Sequence, residues 1–392
     1  MATNSSRDSV ALSAALVLGG SIALGLLLNA RKHAAKKSKR VKPLSELMTI
    51  DEFKQHYQVL SREIVETSKK EFELPQVAAD RVVRMLDYSV PGGKVNRGMT
   101  IVHVAEVMTP DRRLSEKERR EAAALGWTIE WMQASFLVAD DMMDSSITRR
   151  GHPCWYRVED VGNAAINDAL ILLTQMEFIL DRYLGNHPQY NEMRKVLLET
   201  TYETELGQLL DLTTQPPGAT EVDLSLYTIQ RYRQIVKYKT AFYSFVAPVA
   251  LGLLYAGVTD KEVHAKVRDI CLIMGEYFQI QDDVLDCYGD PKVIGKIGTD
   301  IEDAKCSWLV VQALSRANDA QKALLKADYG KKAPEGVSRV KKVFRDLELE
   351  AVFQEYEDKV VKEIKQKIVA LGDPLVQSVC EGLLNKIYKR EK

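Results

Sequence analysis

The stretch EAAALGWTIEWMQASFLVADDMMD, residues 121–144, decides the fold of this 392-residue chain. Its apolar residues recur at spacings of three and four, which predicts a long helix with a wide apolar face. The same periodicity recurs in residues 51–70, 164–184, 192–212 and 340–372. Segments with glycine and proline separate these runs, and strand-like alternation is scarce. We therefore predict an all-α protein built as a single large bundle of about ten helices.

Two aspartate boxes end strongly apolar helical segments. The first box is Asp140-Asp141-Met142-Met143-Asp144, and the second box is Asp282-Asp283-Val284-Leu285-Asp286. Residues four positions apart share a helix face, so the outer aspartates of each box lie side by side and repel each other. A cation relieves this repulsion, and ligands that are all oxygen atoms favour Mg²⁺, which also bridges to phosphate groups. A solvated helix end explains either box alone, but two such boxes rarely arise by chance.

Three basic clusters accompany the boxes. One follows the first box, one lies in the glycine-rich turn PGGKVNRG, and one follows the second box. Their members are Arg149 and Arg150, Lys94 and Arg97, and Lys296 and Lys305. Each residue alone would be an ordinary surface charge. Together with the boxes, they predict a site for two polyanionic groups bridged by Mg²⁺, and the apolar helices predict an apolar organic part of the substrate.

The near-zero net charge of the chain hides an uneven distribution. The chain has 54 basic and 55 acidic residues, but residues 1–44 alone hold eight basic residues and one acidic residue. The net charge of −1 argues against a nucleic-acid-binding protein, but it averages a basic leader and an acidic body. Five scattered cysteines without a CxxC pair favour a reducing compartment, and the six histidines form no zinc motif.

The first 44 residues form an apolar and basic leader. Residues 9–30 carry no charge and would span about 33 Å as a helix, which is enough to cross the apolar core of a bilayer. The basic run RKHAAKKSKRVK follows them. We expect a membrane anchor, because a secretory signal would place its charge before the apolar run. A cleaved or disordered leader without a role in the chemistry is the alternative.

The motifs along the body resemble a known family. In chain order they are GGKVNRG, FLVADDMMDSSITRRGHPCWYR, KYKTAFYSF, FQIQDDVLD, GKIGTDIEDAKCSW and the terminal KIYKR. In these motifs, residues 50–392 are similar to the all-trans isoprenyl diphosphate synthases, and within them to the farnesyl diphosphate synthases of eukaryotes. The resemblance implies a helical bundle of the isoprenoid synthase type, a homodimer, and a polyprenyl diphosphate synthase domain over residues 45–392 behind the leader of residues 1–44.

The resemblance also implies a reaction. Isopentenyl diphosphate would condense with dimethylallyl and then geranyl diphosphate to give (E,E)-farnesyl diphosphate, by ionisation, condensation and elimination. Several Mg²⁺ ions would bridge the allylic diphosphate to both boxes and stabilise the departing diphosphate. The released diphosphate would take up the proton, so that no histidine base is required.

Single residues receive roles from the same resemblance. The metal ligands would be Asp140, Asp144 and Asp282, supported by Asp141, Asp286 and Asp211. The allylic diphosphate would be bound by Arg149, Lys239, Lys296 and Lys305. Isopentenyl diphosphate would be bound near the basic C-terminal end, by Lys94, Arg97, Gln133 and Arg150. The allylic cation would face uncharged oxygens of Thr240, Gln279 and the Lys239 carbonyl.

One position departs from the family pattern. Animal farnesyl synthases carry two aromatic residues before the first box as the floor of the chain pocket, whereas this chain has Ser135 and Phe136. A missing ring leaves room for a longer product unless another side chain, such as Met132, fills the gap. We expect a C15 product, with C20 geranylgeranyl diphosphate as the alternative. A terpene synthase and a non-catalytic, membrane-tethered homologue on the same fold are further alternatives.

The leader also predicts a location. The positive-inside rule places its basic flank, and the body behind it, on the cytosolic side of a membrane. We expect the catalytic domain in the cytosol, anchored at the mitochondrial outer membrane or the endoplasmic reticulum. The mitochondrial matrix after cleavage of the leader and the free cytoplasm are alternatives. No nucleic-acid partner is expected.

Overall fold

A computed structural model of the chain describes residues 47–216, 221–290 and 298–388. The helices are α1 (Ile50–Glu71), α2 (Gln76–Ser89), α3 (Asn96–Val107), α4 (Glu116–Met143), α5 (Ala165–Leu184), α6 (Tyr190–Thr214), α7 (Ile229–Ile235), a π-helical segment (Val236–Val246), α8 (Ala247–Tyr255), α9 (Lys261–Tyr288), α10 (Trp308–Arg316), α11 (Asp319–Asp328), α12 (Pro334–Asp346), α13 (Leu349–Val369) and α14 (Pro374–Ile387). One antiparallel pair of two-residue strands, β1 (Thr148–Arg149) and β2 (His152–Pro153), and three 3-10 turns (Trp155–Arg157, Gly162–Ala164, Leu224–Leu226) complete the described elements.

The prediction of an all-α bundle is confirmed for the described residues, which fall in a single compact unit. The leader over residues 1–44 lies outside the described residues, so its role as an anchor stays a prediction. Lys296 and residues 389–392, the basic end of the chain, also lie outside them. None of the described helices combines the length and the apolar character needed to cross a bilayer.

Polar side chains at the helix starts explain where the long helices begin. Ser115 accepts a hydrogen bond from the Glu118 N–H, and the Glu118 carboxylate accepts one from the Ser115 N–H. Such a reciprocal cap satisfies two N–H groups that have no partner within the helix. Asp260 caps α9 by accepting from the N–H groups of Glu262 and Val263. These caps begin the two helices whose C-terminal turns carry the aspartate boxes.

α4 packs against α3 and α5 and carries the largest aromatic cluster of the core. Trp127 and Trp131 are fully buried, and Phe53 of α1 stacks on Trp127 with a centroid distance of 4.6 Å. Full burial of a side chain such as Phe53 stabilises the fold by about 1.5–3 kcal/mol. This packing fixes the axis of α4 and therefore the position of the first box at its end.

α7, the π-helical segment and α8 follow one another directly from Ile229 to Tyr255. The π-helical segment packs between α6 and α9 and carries Lys239 and Thr240. π-helical turns are rare and occur frequently at functional sites, because the wider turn changes where side chains and carbonyls point. The segment places Lys239 and Thr240 between the helix that carries Asp211 and the helix that carries the second box.

Candidate active site

At the C-terminal end of α4, two aspartates of the first box lie close to two lysines and to Asp211 of α6. Lys239 Nζ lies 3.3 Å from Asp140 Oδ1 and 2.6 Å from Asp211 Oδ2. Lys305 Nζ lies 2.5 Å from Asp144 Oδ2 and 3.7 Å from Asp211 Oδ2. We call these five residues the acid–lysine cluster. The cluster joins α4, α6, the π-helical segment and the loop before α10.

Burial and charge act in opposite directions on the protonation of the acid–lysine cluster. Burial alone would raise the pKa of Asp140, but Lys239, Lys305 and Arg149 outweigh it and hold that pKa below its ordinary value. The pKa of Asp211 is lowered against its burial by the same two lysines. Burial and the charge of Asp140 raise the pKa of Asp144. The cluster therefore keeps opposite charges in contact in a partly dry site.

The hairpin after the first box turns Arg149 back onto it. Arg149 Nη2 lies 2.5 Å from Asp141 Oδ1 and 3.5 Å from Asp140 Oδ2. Asp141 is buried and thus faces a guanidinium group, which satisfies its charge. Burial would lower the pKa of Arg149, but the two aspartates raise it.

Arg150 turns the opposite way, onto the glycine-rich turn. Its φ of 55° lies in the left-handed region, and a Cβ at Gly93 would stand 2.9 Å from its Nη2 atom. A side chain at position 93 would require the Arg150 guanidinium group to shift. Burial lowers the pKa of Arg150, Glu130 opposes this shift, and the nearby charges of Arg149 and Arg97 add to it. Arg150 is exposed, and its neighbours include two other cations, so an anionic ligand can reach it.

Arg97 is held in place by three side chains. Its Nη1 donates to Gln133 Oε1 over 2.8 Å, and its Nη2 donates to Ser244 Oγ over 2.7 Å and to Tyr243 Oη over 3.0 Å. Its guanidinium carbon also stands 4.4 Å from the centroid of the Tyr243 ring. The structure thus brings Arg97 and Gln133 together at the end of the π-helical segment. Lys94 is exposed in the turn before α3.

The second box is linked to the π-helical segment through Gln279. The Thr240 hydroxyl donates to Gln279 Oε1 over 3.1 Å, and Gln279 Nε2 donates to Asp283 Oδ1 over 3.0 Å. Asp282 and Asp286 lie three and seven residues after Gln279, on the same face of α9. Asp286 Oδ2 accepts from the Asp300 N–H over 3.0 Å.

An apolar cavity of about 600 Å³ begins at Asp140 and Lys239 and runs between α4, α5 and α6. Ser135 and Phe136 line it, and Met132 is fully buried outside the lining. The Ser135 hydroxyl donates to the Ala169 carbonyl over 2.8 Å, so its polar atom is satisfied by the backbone of α5. The serine side chain adds little volume to the cavity wall, and the aromatic rings of the lining are those of Phe136 and Tyr243.

The carboxylates fit a hard cation that is shared with a substrate. Asp140 Oδ1 is buried and receives no hydrogen bond from any residue that the structure describes, although Lys239 Nζ forms an ion pair with it. Within the described ranges, no group of three or more His, Cys, Asp or Glu side chains is arranged to hold a metal ion. Mg²⁺ typically takes one or two carboxylates together with waters and substrate phosphates. The arrangement therefore suits Mg²⁺ bridged to a diphosphate.

Reasoning from the sequence missed three features of this site. These are the π-helical geometry around Lys239, the contact of Tyr243 and Ser244 with Arg97, and the close approach of Gly207 to the π-helical segment. A Cβ at Gly207 would overlap the Lys239 nitrogen and stand 2.5 Å from the Lys239 Cα. A glycine inside a periodic helix costs about 1 kcal/mol relative to alanine, so its presence in GQLLDL was a signal of a close contact.

Comparisons with known proteins agree with this geometry. Residues 79–347 match the polyprenyl synthetase family. The farnesyl pyrophosphate synthase of Panax ginseng is 46% identical over 349 residues, which cover 89% of this chain and 100% of that protein. The farnesyl pyrophosphate synthase of Gallus gallus is 45% identical over 351 residues, which cover 85% and 95%. The solved structure of T. brucei farnesyl diphosphate synthase complexed with risedronate is 36% identical, with a TM-score of 0.81 and coverage of 88% and 100%.

The match to the family extends over most of the helical body, and the relatives are covered almost completely. The solved relative shares the overall arrangement of helices. We therefore conclude that the chain belongs to the polyprenyl synthetase family.

Proposed function

We propose that the chain is a Mg²⁺-dependent prenyltransferase that condenses isopentenyl diphosphate with dimethylallyl and geranyl diphosphate to give (E,E)-farnesyl diphosphate. The observation that carries this proposal is the apolar cavity that begins at Asp140 and Lys239. An allylic diphosphate would fit this site with its charged diphosphate at the acid–lysine cluster and its apolar chain in the cavity. The relatives named farnesyl pyrophosphate synthase support the same substrate class.

The first and second boxes would hold the metal. Asp140, Asp144 and Asp282 are the proposed ligands, with Asp141, Asp211 and Asp286 in support. When bound, Mg²⁺ supplies positive charge to the diphosphate as it leaves. Asp141 contributes by holding Arg149, because their ion pair directs the guanidinium group to the edge of the box.

The cations of the chain would bind the two diphosphates at separate places. Lys239, Lys305 and Arg149 lie at the acid–lysine cluster and would contact the allylic diphosphate, as would Lys296. Arg150, Arg97, Gln133 and Lys94 would bind isopentenyl diphosphate. Arg97 contacts Gln133 directly, and Arg150 lies against the glycine-rich turn that carries Lys94. Guanidinium groups that are already oriented lose little freedom when a phosphate arrives.

Uncharged oxygens would face the carbon from which the diphosphate departs. Thr240 and Gln279 are hydrogen-bonded to each other beside Lys239, and the Lys239 carbonyl belongs to the same turn. Oxygen dipoles that are fixed before the reaction stabilise a developing cation without a cost of reorganisation. The proton lost after condensation would pass to the released diphosphate, so the proposal requires no protein base.

The test is an assay of the full-length chain with isopentenyl and dimethylallyl diphosphates. We expect release of inorganic diphosphate and a C15 product only when Mg²⁺ is present. Diphosphate release from the allylic substrate alone, with a cyclic hydrocarbon as product, would instead identify a terpene synthase. No turnover with any of these substrates would identify a non-catalytic homologue and overturn the proposal.

A C20 product is the second candidate, because the small side chain of Ser135 fills little of the cavity, although the aromatic rings of Phe136 and Tyr243 both line it. Ser135→Phe should shift the products of the enzyme toward shorter chains, since the added ring must occupy the cavity. Chromatography of the dephosphorylated products measures this shift. Ser135→Ala removes the hydroxyl without adding volume and should leave product length unchanged; an unchanged profile in Ser135→Phe would contradict the role of this position.

We also propose that a second copy of the chain covers an apolar face of α5 and α6. Large apolar side chains recur there at helical spacing and are 46–61% exposed, namely Ile166, Leu170, Phe178, Leu198, Tyr202 and Leu209. Leu170 and Phe178 also line an apolar groove of about 800 Å³ between α1 and α5, away from the boxes. Patches of this kind on a soluble protein mark interaction sites.

Replacement of Leu198 and Tyr202 together with glutamate should weaken this dimer at least about tenfold, because buried apolar anchors dominate association. Sedimentation of the solubilised full-length chain measures the mass of the assembly and thus the number of chains in it. Val369→Glu is the control, since Val369 is 72% exposed on α13 and lies outside this face. A wild-type protein that sediments as a single chain would rule out the dimer.

A further inference from the structure

Asp283, the second residue of the second box, is buried between α9 and the start of α10. Its Oδ1 accepts from Gln279 Nε2 over 3.0 Å, and its Oδ2 accepts from the Trp308 N–H over 2.7 Å. Its residue exposure is 4%, whereas Asp282 beside it is only partly buried. Both oxygens of Asp283 thus accept hydrogen bonds from protein donors.

The Asp283 oxygen fixes the orientation of the Gln279 amide. An amide group has one end that accepts and one end that donates, and the two ends have nearly the same shape. In the structure the NH₂ end of Gln279 donates to Asp283 Oδ1, as an ionised carboxylate requires, although burial raises the pKa of Asp283 to about 7. The carbonyl end then faces Thr240, whose hydroxyl donates its only proton to Gln279 Oε1 over 3.1 Å. The lone pairs of the Thr240 oxygen remain available to a ligand in the site.

We propose that Asp283 is a positioning residue that keeps the oxygen end of Gln279, and with it the lone pairs of Thr240, toward the allylic cation. The proposal rests on the prenyltransfer reaction proposed above. Reversal of the Gln279 amide would turn an NH₂ group toward Thr240, and this group would take up a lone pair that the Thr240 oxygen could otherwise direct at the carbon that becomes positive in the transition state. The anchor is rigid because the other oxygen of Asp283 is bound to the first turn of α10.

Asp283→Asn tests this role with almost no change in shape. The asparagine has one acceptor and one donor, so it cannot accept from both Gln279 and the Trp308 N–H. We expect kcat to fall on the order of 10²-fold, while KM for each diphosphate changes less than about threefold, since the charged contacts to the substrates are intact. We also expect the variant to lose more rate than the wild type when the allylic substrate carries fluorine beside the forming cation. A variant with wild-type kcat would overturn the proposal.

A swap of the two functional groups provides the sharper readout. In the double variant Asp283→Asn with Gln279→Glu, the new amide at position 283 would donate to the carboxylate at position 279, which again presents oxygen to Thr240. We expect the double variant to turn over at least about tenfold faster than Asp283→Asn alone. A purely structural role of Asp283 predicts no such rescue, so its absence in folded protein would also overturn the proposal.

The single variant Gln279→Glu decides the question if Asp283→Asn does not fold. With Asp283 in place, it sets two carboxylates against each other, and we expect kcat on the order of 10²-fold below wild type. If Asp283 did not fix this side chain, the extra negative charge near the cation should leave kcat at or above wild type. Asp328→Asn is the matched control, because Asp328 at the end of α11 is 7% exposed, is paired with Arg339 of α12, and lies outside the site.

The failure of this proposal and that of the prenyltransferase proposal give different results. If the wild-type chain releases no diphosphate and makes no product, the reaction itself is wrong. If the wild type is active and the three variants match it, only the role of Asp283 is wrong. Thermal unfolding of each variant shows whether a loss of turnover reflects a loss of fold.

Discussion

Asp140→Asn should lower turnover by on the order of 10³-fold while the chain keeps its fold. Asp140 lies in the last turn of α4, 3.3 Å from Lys239, and has a buried oxygen without a hydrogen bond from the described residues. Lowering of its pKa by Lys239, Lys305 and Arg149 keeps it ionised at neutral pH. The neutral amide keeps the shape and removes the charge that a divalent cation requires.

Steady-state kinetics over a range of Mg²⁺ concentrations measures the effect of Asp140→Asn. Calorimetric titration with Mg²⁺ and a non-reactive diphosphate provides a second readout, and we expect weaker binding. Asp269→Asn on α9 is the control, because Asp269 is exposed and outside the acid–lysine cluster. Wild-type rates in Asp140→Asn would show that the first box does not hold the metal.

Gly207→Ala should also lower turnover strongly, although less than Asp140→Asn. The cause is a steric clash and not a loss of charge. A Cβ at Gly207 would overlap the Lys239 nitrogen and stand 2.5 Å from the Lys239 Cα. Both are backbone atoms, so the clash cannot be relieved by a side-chain rotation. α6 and the π-helical segment must separate, at a cost of about 1–3 kcal/mol or more. A shift of about 1 Å at Lys239 and Thr240 can lower turnover on the order of 10²-fold.

Thermal unfolding and turnover together measure the effect of Gly207→Ala. Gly382→Ala is the matched control, since Gly382 lies in α14 and a Cβ there would meet no described atom within 4 Å. Alanine there should stabilise the helix by about 1 kcal/mol. A Gly207→Ala protein with wild-type stability and activity would show that the two helices are not in close contact at this point.

The helical class could be predicted from the sequence because it depends on local spacing, whereas the metal chemistry of the boxes stays a prediction. Apolar spacing in residues 121–144 predicts α4, and the position of the first box at its end follows from the same stretch. The pairing of Lys239 with Asp211 could not be predicted from spacing, since it depends on how the π-helical segment packs against α6. A wider helical turn leaves no simple signal in hydrophobic periodicity.

The different orientations of neighbouring side chains could not be predicted from the sequence either. Asp282 and Asp283 are adjacent and chemically identical, yet only the packing of α10 against α9 draws Asp283 into the interior. Arg149 and Arg150 diverge in the same way, because the positive φ of Arg150 reverses the direction of its side chain. Adjacent side chains of one type receive different environments from tertiary structure, which spacing alone does not encode.

The charges of the acid–lysine cluster should make the binding of a divalent cation and the binding of a diphosphate depend on each other. Three carboxylates and two ammonium groups nearly cancel, so a divalent cation that arrives alone must displace a lysine from its carboxylate. A diphosphate that arrives alone brings its negative charge beside three carboxylates. If both arrived, the lysines would exchange carboxylate oxygens for phosphate oxygens, and each group would keep an opposite charge beside it. Thermodynamic linkage then makes the cooperation reciprocal, so the affinity measured for either ligand rises with the concentration of the other.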